Sequence, residues 1–152
     1  MDELMLNSEV EMEKTQFIVI RIGDEQYGID IKYVDNIVRM QKITRVPDVQ
    51  SYFEGVINLR GEVVPVMNLR KKAGLPDEEY TKDTRIIIIK LENNAPIGIV
   101  VDAVKEVVTL TSDEIEYTKG TVRNEQVTFI NGIGKCNNSL ISLLDLNAVI
   151  SE

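Results

Sequence analysis

Residues 53–69 read FEGVINLRGEVVPVMNL, and the reading of this stretch decides the fold. Val56, Ile57, Val63, Val64 and Val66 are β-branched, which suits a pleated, half-buried surface better than a helix. Arg60-Gly61 divides the run, and Gly61 can supply the positive φ that a tight hairpin turn requires. The pattern therefore predicts two strands joined at this dipeptide. Pro65 has no N–H to donate, so the second strand is expected to lie at a sheet edge or to carry a bulge. Arg60 is expected to project outward from the tip with no evident partner.

Around this hairpin lie 152 residues, enough for one ordinary domain or two small lobes sharing a core. A hydrophobic content of 43% with 28% charged residues is that of a soluble globular protein. The net charge of −8 and the lack of clustered Lys and Arg argue against nucleic acid or an anionic membrane as partner. Cys136 is the single cysteine and cannot form an internal disulfide, which points to a reducing compartment. Residues 1–14 are polar and acidic, and are expected to form a flexible tail without the features of a secretory signal. No apolar run approaches the roughly 18 residues of a membrane span. A cytoplasmic protein without direct membrane insertion is expected.

The hairpin is one part of an internal repeat. Residues 17–22 and 86–91 are apolar runs of one pattern, each followed by turn residues and a return strand. Gly28-Ile29 matches Gly98-Ile99, and Val34, Ile37 and Val38 match Val104, Val107 and Val108. Residues 53–56 match 130–133, and residues 63–69 match 140–146 without a gap. Asn137 and Asn138 stand where the first copy has Arg60-Gly61. Two copies predict two similar β lobes related by a pseudo-twofold, divided at about 15–70 and 84–150 with a linker over 71–83, in one domain from 15 to 152. Each copy is marginal for an independent core, so a shared apolar layer is expected. Small barrels are favoured because they dispose of open edges. Between these strands, Asp30 is expected to cap a short helix carrying Ile31, Val34 and Val38, and residues 43–46 to form a strand. Residues 118–126 are expected to be a loop before a strand at 127–130, and residues 146–150 a short helix or a docked turn.

Catalytic chemistry finds little support. The sequence has no histidine, which removes the commonest general base and metal ligand. Gly132-Ile133-Gly134-Lys135 resembles the start of a glycine-rich loop, but Asn137 breaks the dinucleotide pattern and Cys136 the Walker pattern. Nothing in the sequence lowers the Cys136 thiol pKa, and the paired carboxylates sit in turns. No enzymatic activity, metal or cofactor is expected. What remains is surface: a seam between two lobes, with Arg60 as an anchor for a protein partner.

Residues 23–31 (GDEQYGIDI), 55–61 (GVINLRG) with Val64-Pro65-Val66, and 98–102 (GIVVD) resemble the CheW-like domain family of bacterial chemotaxis, and the likeness extends from about residue 16 to 150. The family includes free-standing adaptors, one half of CheV and the regulatory domain of the kinase CheA; 152 residues leave no room for a kinase or receiver, so the adaptor is preferred. The resemblance implies two SH3-like five-stranded β barrels around a shared hydrophobic core, with a few short helices. It also implies an adaptor that couples chemoreceptor cytoplasmic tips to the CheA regulatory domain, recruited to membrane-associated receptor arrays. A scaffold for a non-motility chemosensory kinase is the alternative. By position, the implied receptor-binding residues are Val34, Asn36, Gly55, Arg60, Ile86 and Val107. Asn36 stands where relatives carry glutamate. Met40 and Ile43 are the implied kinase contacts.

Overall fold

In a computed structural model, the described residues are 13–76, 78–92, 94–117 and 129–150. Most of the expected tail, the expected loop at 118–126 and the start of the strand at 127–130 lie outside them. The remainder is mostly β. Strands β1 (Lys14–Ile22), β2 (Glu25–Asp30), β3 (Val34–Arg39), β4 (Phe53–Leu59), β5 (Glu62–Asn68), β6 (Arg85–Ile89), β7 (Ile97–Val101), β8 (Ala103–Thr111), β9 (Ile115–Tyr117), β10 (Ile130–Cys136) and β11 (Ser139–Leu144) are joined by 3-10 turns and two short helices, α1 (Leu69–Lys72) and α2 (Leu146–Ile150).

The strands form two sheets. Sheet A runs β8-β1-β2-β11-β10-β9, and sheet B runs β3-β6-β7-β5-β4. Under the sequence repeat, β8, β1, β2, β11 and β10 correspond to β3, β6, β7, β5 and β4, so both sheets have the same strand order. Membership is exchanged, however. Hairpin β1-β2 of the first copy completes the sheet built from β8, β10 and β11 of the second, and β6-β7 completes the sheet of the first. The expected lobes at 15–70 and 84–150 are therefore corrected: neither sheet is contiguous in sequence. The physical reason lies in pairing. Each copy's opening hairpin is apolar on both faces, and its outer strand takes the strand following the other copy's hairpin, as β1 pairs with β8 and β3 with β6.

Alternation along these strands builds three apolar layers. On β1, Phe17 and Val19 face a cluster within sheet A, while Ile18, Ile20 and Ile22 face a layer shared by both sheets. On β6, Ile86 and Ile88 face the sheet B cluster, while Ile87 and Ile89 join the shared layer. Sheet A curls on itself. A Cβ on Gly134 of β10 would lie 2.5 Å from Leu110 of β8, although four ladder steps separate those strands. In sheet B the chain beyond β3 crosses to β4 through a bridge between Thr44 and Val56. Two packed β sheets around a common core match the expected fold class, although sheet A carries a sixth strand, β9, beyond the expected five.

Three local expectations are corrected. Asp30 does cap a turn, accepting from the Lys32 N–H at 3.1 Å, but the turn spans only Ile31–Tyr33 and the chain then extends as β3. The spacing of Ile31, Val34 and Val38 is thus not helical. Pairing with Ile86–Ile89 on β6 satisfies the β3 backbone, and tertiary pairing overrides the local period. Residues 43–46 make only the Thr44 bridge, not a strand. Strand β5 is interior, between β7 and β4, but β7 takes up pairing only at Val66, so the segment holding Pro65 pairs with β4 alone.

Candidate functional site

The β4-β5 hairpin turns at Arg60 (φ 53°) and Gly61 (φ 86°), two left-handed residues in succession. That is the two-residue primed turn whose twist matches the flanking strands. Asn58 steadies it by accepting from the Gly61 N–H at 3.1 Å. The left-handed conformation at Arg60 is unusual for a residue with a Cβ. Its side chain is exposed and makes no hydrogen bond or ion pair with the described residues.

The ladders place the other candidates. Asn36, Ile88, Gly98, Val66 and Gly55 are successive partners, so Asn36 and Gly55 end a single row across sheet B. Val34 lies to one side of that row, beyond Ile89 and Ile97. The parallel register of β5 on β7 carries the hairpin tip to the same side. Arg60 and Val34 thus lie on one side of that row, Asn36 on the row itself, and Met40 on the other side, past the Arg39–Arg85 pair.

Burial sorts the candidates further. Val107, on the edge strand β8 of sheet A, is 51% exposed. Val34 is half-buried against the shared layer, and Asn36 is half-buried with its Oδ1 accepting from the Ile37 N–H at 2.8 Å. Ile86 is fully buried in the sheet B cluster. It belongs to the core rather than to a contact surface, because the β6 alternation points it inward. Gly55 is also buried, with φ 139°, and a Cβ there would lie 2.1 Å from the Thr44 carbonyl oxygen. Glycine is required at this position so that the crossing chain can lie on β4, and its place is architectural. Met40 and Ile43 are half-buried against the sheet B cluster, and Met40 also lines a cleft of about 480 Å³ with Arg39, Lys82 and Arg85.

Sequence reasoning missed several surface residues. Ile37 on β3 is 38% exposed and corresponds to Val107 on β8, so two equivalent edge strands present an apolar side chain. A period-two reading of β3 would have found it, since its burial alternates residue by residue. Val63 and Leu140, equivalent positions on the two hairpins, are 68% and 63% exposed.

Comparison with known proteins accords with the fold. The family model described as the CheW-like domain matches residues 16–152. The chain is 40% identical to the chemotaxis protein CheW of Bacillus subtilis over 137 residues, covering 90% of this chain and 87% of that protein. It is 36% identical to the CheW of Helicobacter pylori, covering 92% of this chain and 84% of that one. The scaffolding protein TtCheW of Thermoanaerobacter tengcongensis superposes with a TM-score of 0.85 at 32% identity, over 92% of this chain and 94% of that one.

Proposed function

This chain belongs to the CheW-like domain family, and from that premise we propose that it is a non-enzymatic adaptor coupling chemoreceptor cytoplasmic tips to the kinase CheA, within receptor arrays on the cytoplasmic side of the membrane. The chain is 40% identical to the Bacillus subtilis CheW and 24% identical to the Helicobacter pylori CheV3, which favours the CheW-type role. No helix among the described residues is long and apolar enough to cross a membrane, so recruitment would run through protein contacts.

The observation that carries the reading is the separation of two candidate surfaces on a fold shared with CheW scaffolds. Arg60 and Val34 lie toward one end of sheet B, with Asn36 on the adjoining row and Val107 on the edge of sheet A, and these would receive the receptor tip. Met40, past the Arg39–Arg85 pair at the other end, would meet the kinase regulatory domain, with Ile43, half-buried beside the Thr44–Val56 bridge, as a second candidate contact. An adaptor needs two such surfaces, so that one partner does not displace the other.

The test is co-sedimentation of this protein with a receptor signalling fragment and CheA, reading kinase autophosphorylation. The expected result is a ternary complex whose kinase output follows receptor state. Failure to bind either partner at micromolar concentration would overturn the proposal. Binding of a chemosensory kinase that does not control motility would redirect it to the alternative scaffold role.

A further inference from the structure

Arg70 is the single charged residue in the buried class among the described residues, and it lies outside the surfaces considered so far. It follows β5 on α1. Its Nη2 donates to Asp102 Oδ2 at 2.8 Å and lies 3.5 Å from Glu78, and its Nη1 donates to the Pro76 carbonyl at 2.8 Å. Asp102 stands where the chain leaves β7 of sheet B and enters β8 of sheet A. The same Oδ2 accepts from the Gly23 N–H at 2.7 Å, and Gly23 is in the β1-β2 turn of sheet A. The Asp102 N–H donates to the Arg21 carbonyl at 3.0 Å, and Arg21 Nη1 donates to the Gly23 carbonyl at 3.0 Å. One carboxylate oxygen therefore joins a guanidinium carried by sheet B to a backbone amide carried by sheet A.

Among the described residues the repeat has no second such contact. Arg70 corresponds to Asn147 and Asp102 to Lys32, and Lys32 is occupied locally by Asp30 at 3.9 Å and the Tyr33 ring. Two sheets that otherwise pack through apolar side chains are thus fastened by a directional, partly buried ionic contact on one side only. Apolar packing is non-directional and permits small sliding of one layer on another. A bidentate-capable guanidinium held by charged and carbonyl acceptors does not.

We propose that the Arg70–Asp102–Gly23 contact is a clasp that sets the angle between the two sheets, and that Arg70 and Asp102 are positioning residues for partner binding across the seam. The second half rests on the receptor-binding reading above, in which Val107 of sheet A and Arg60 of sheet B must meet one partner together. Neither Arg70 nor Asp102 belongs to that surface.

The test measures distance and affinity separately. In a Cys136→Ser background, spin labels at Lys135→Cys on sheet A and Glu62→Cys on sheet B report the inter-sheet distance distribution. Arg70→Met and Asp102→Asn should broaden or shift that distribution, and in unlabelled protein should weaken receptor-fragment binding by about fivefold or more. Arg70→Lys should recover part of both. If a single variant fails to fold because a buried charge is orphaned, the double variant Arg70→Met/Asp102→Leu removes both partners and should regain stability. It should still show the broadened distribution and weaker binding, which a merely structural role would not produce. An unchanged distribution in the double variant, or wild-type affinity despite a changed one, would overturn the proposal. If the wild type binds no receptor fragment, the receptor reading fails while the distance measurement still decides the clasp.

Discussion

The two hairpins, β4-β5 and β10-β11, fold the same backbone from different tips. Both turn through two left-handed residues: Arg60 and Gly61 in one, Asn137 and Asn138 in the other. Asparagine tolerates that conformation because its short polar side chain bonds locally, and glycine because it lacks a Cβ. Arginine has neither advantage. The tip of sheet A is thus occupied by residues that suit the turn, and that of sheet B by one residue that does not. The rows beneath differ as well. Gly132 would place a Cβ 3.3 Å from Glu116 O, whereas Gly55 would place one 2.1 Å from Thr44 O. In sheet A a regular strand, β9, pairs beside β10; in sheet B an irregular segment presses onto β4 through one bridge. In the interior the departure is explained by packing, whereas at the exposed tip no contact with the described residues accounts for it.

That contrast can be broken in the interior first. Gly55→Val should cost at least ~3 kcal/mol or abolish folding, since both the positive φ and the Thr44 backbone oppose a side chain, while Gly132→Ala should cost clearly less. Equal losses in denaturant titrations of the two variants would show that the close approach at Gly55 is not what distinguishes the hairpins. Next in size, Ile86→Ala should destabilise by about 2–5 kcal/mol through a cavity in the sheet B cluster. Receptor affinity per folded molecule should stay unchanged, and a selective loss of binding at full stability would return Ile86 to the contact surface.

The tips themselves give the sharper, smaller test. Arg60→Asn should leave stability unchanged or raise it by up to ~1 kcal/mol, by relieving a left-handed arginine, and should weaken receptor-fragment binding. Asn137→Arg should cost a similar amount and leave binding as it was. Retained binding in Arg60→Asn, followed by calorimetry, would make the tip arginine irrelevant to the partner. The smallest effect concerns Tyr27, whose phenol burial pushes up from its ordinary value of 10.0, with the nearby Glu25 charge adding to it. The unfolded chain then releases this proton at lower pH than the folded one. The stabilisation is present below pH 10 and is lost as pH rises through the folded-state value. Tyr27→Phe should flatten the alkaline fall in melting temperature; an unaltered slope would place the cause elsewhere.

Much of this was legible before any coordinates. The repeat showed a duplicated β unit because the same apolar alternation had to be built twice, and the ladder registers bear out that equivalence, with Gly28 beside Leu143 as Gly98 is beside Val66, though not the assignment of one lobe to each copy. The hairpin tip was readable because glycine, asparagine and a lone arginine are local signals. Residues 31–38 misled because Ile31, Val34 and Val38 satisfy a helical period while the partner that makes them a strand, β6, lies some fifty residues away. Ile86 and Gly55 misled for a related reason: their depth depends on what crosses over them, namely β3 and the Thr44 segment.

By itself, the sequence determined which residues are apolar on alternate positions, where the chain must turn, and that the unit occurs twice, since these follow from local stereochemistry and periodicity. Which copy of each strand completes which sheet was decided only by tertiary structure. The opening hairpins are nearly interchangeable in pattern, so their exchange between sheets depends on connections and long-range pairing rather than on local preference. The same holds for the clasp. Arg70 and Asp102 stand 32 positions apart, and no spacing in the sequence pairs them. Only the folded chain brings them, with the Gly23 amide, to a single carboxylate oxygen, where partial burial gives an ordinary ion pair its directional strength.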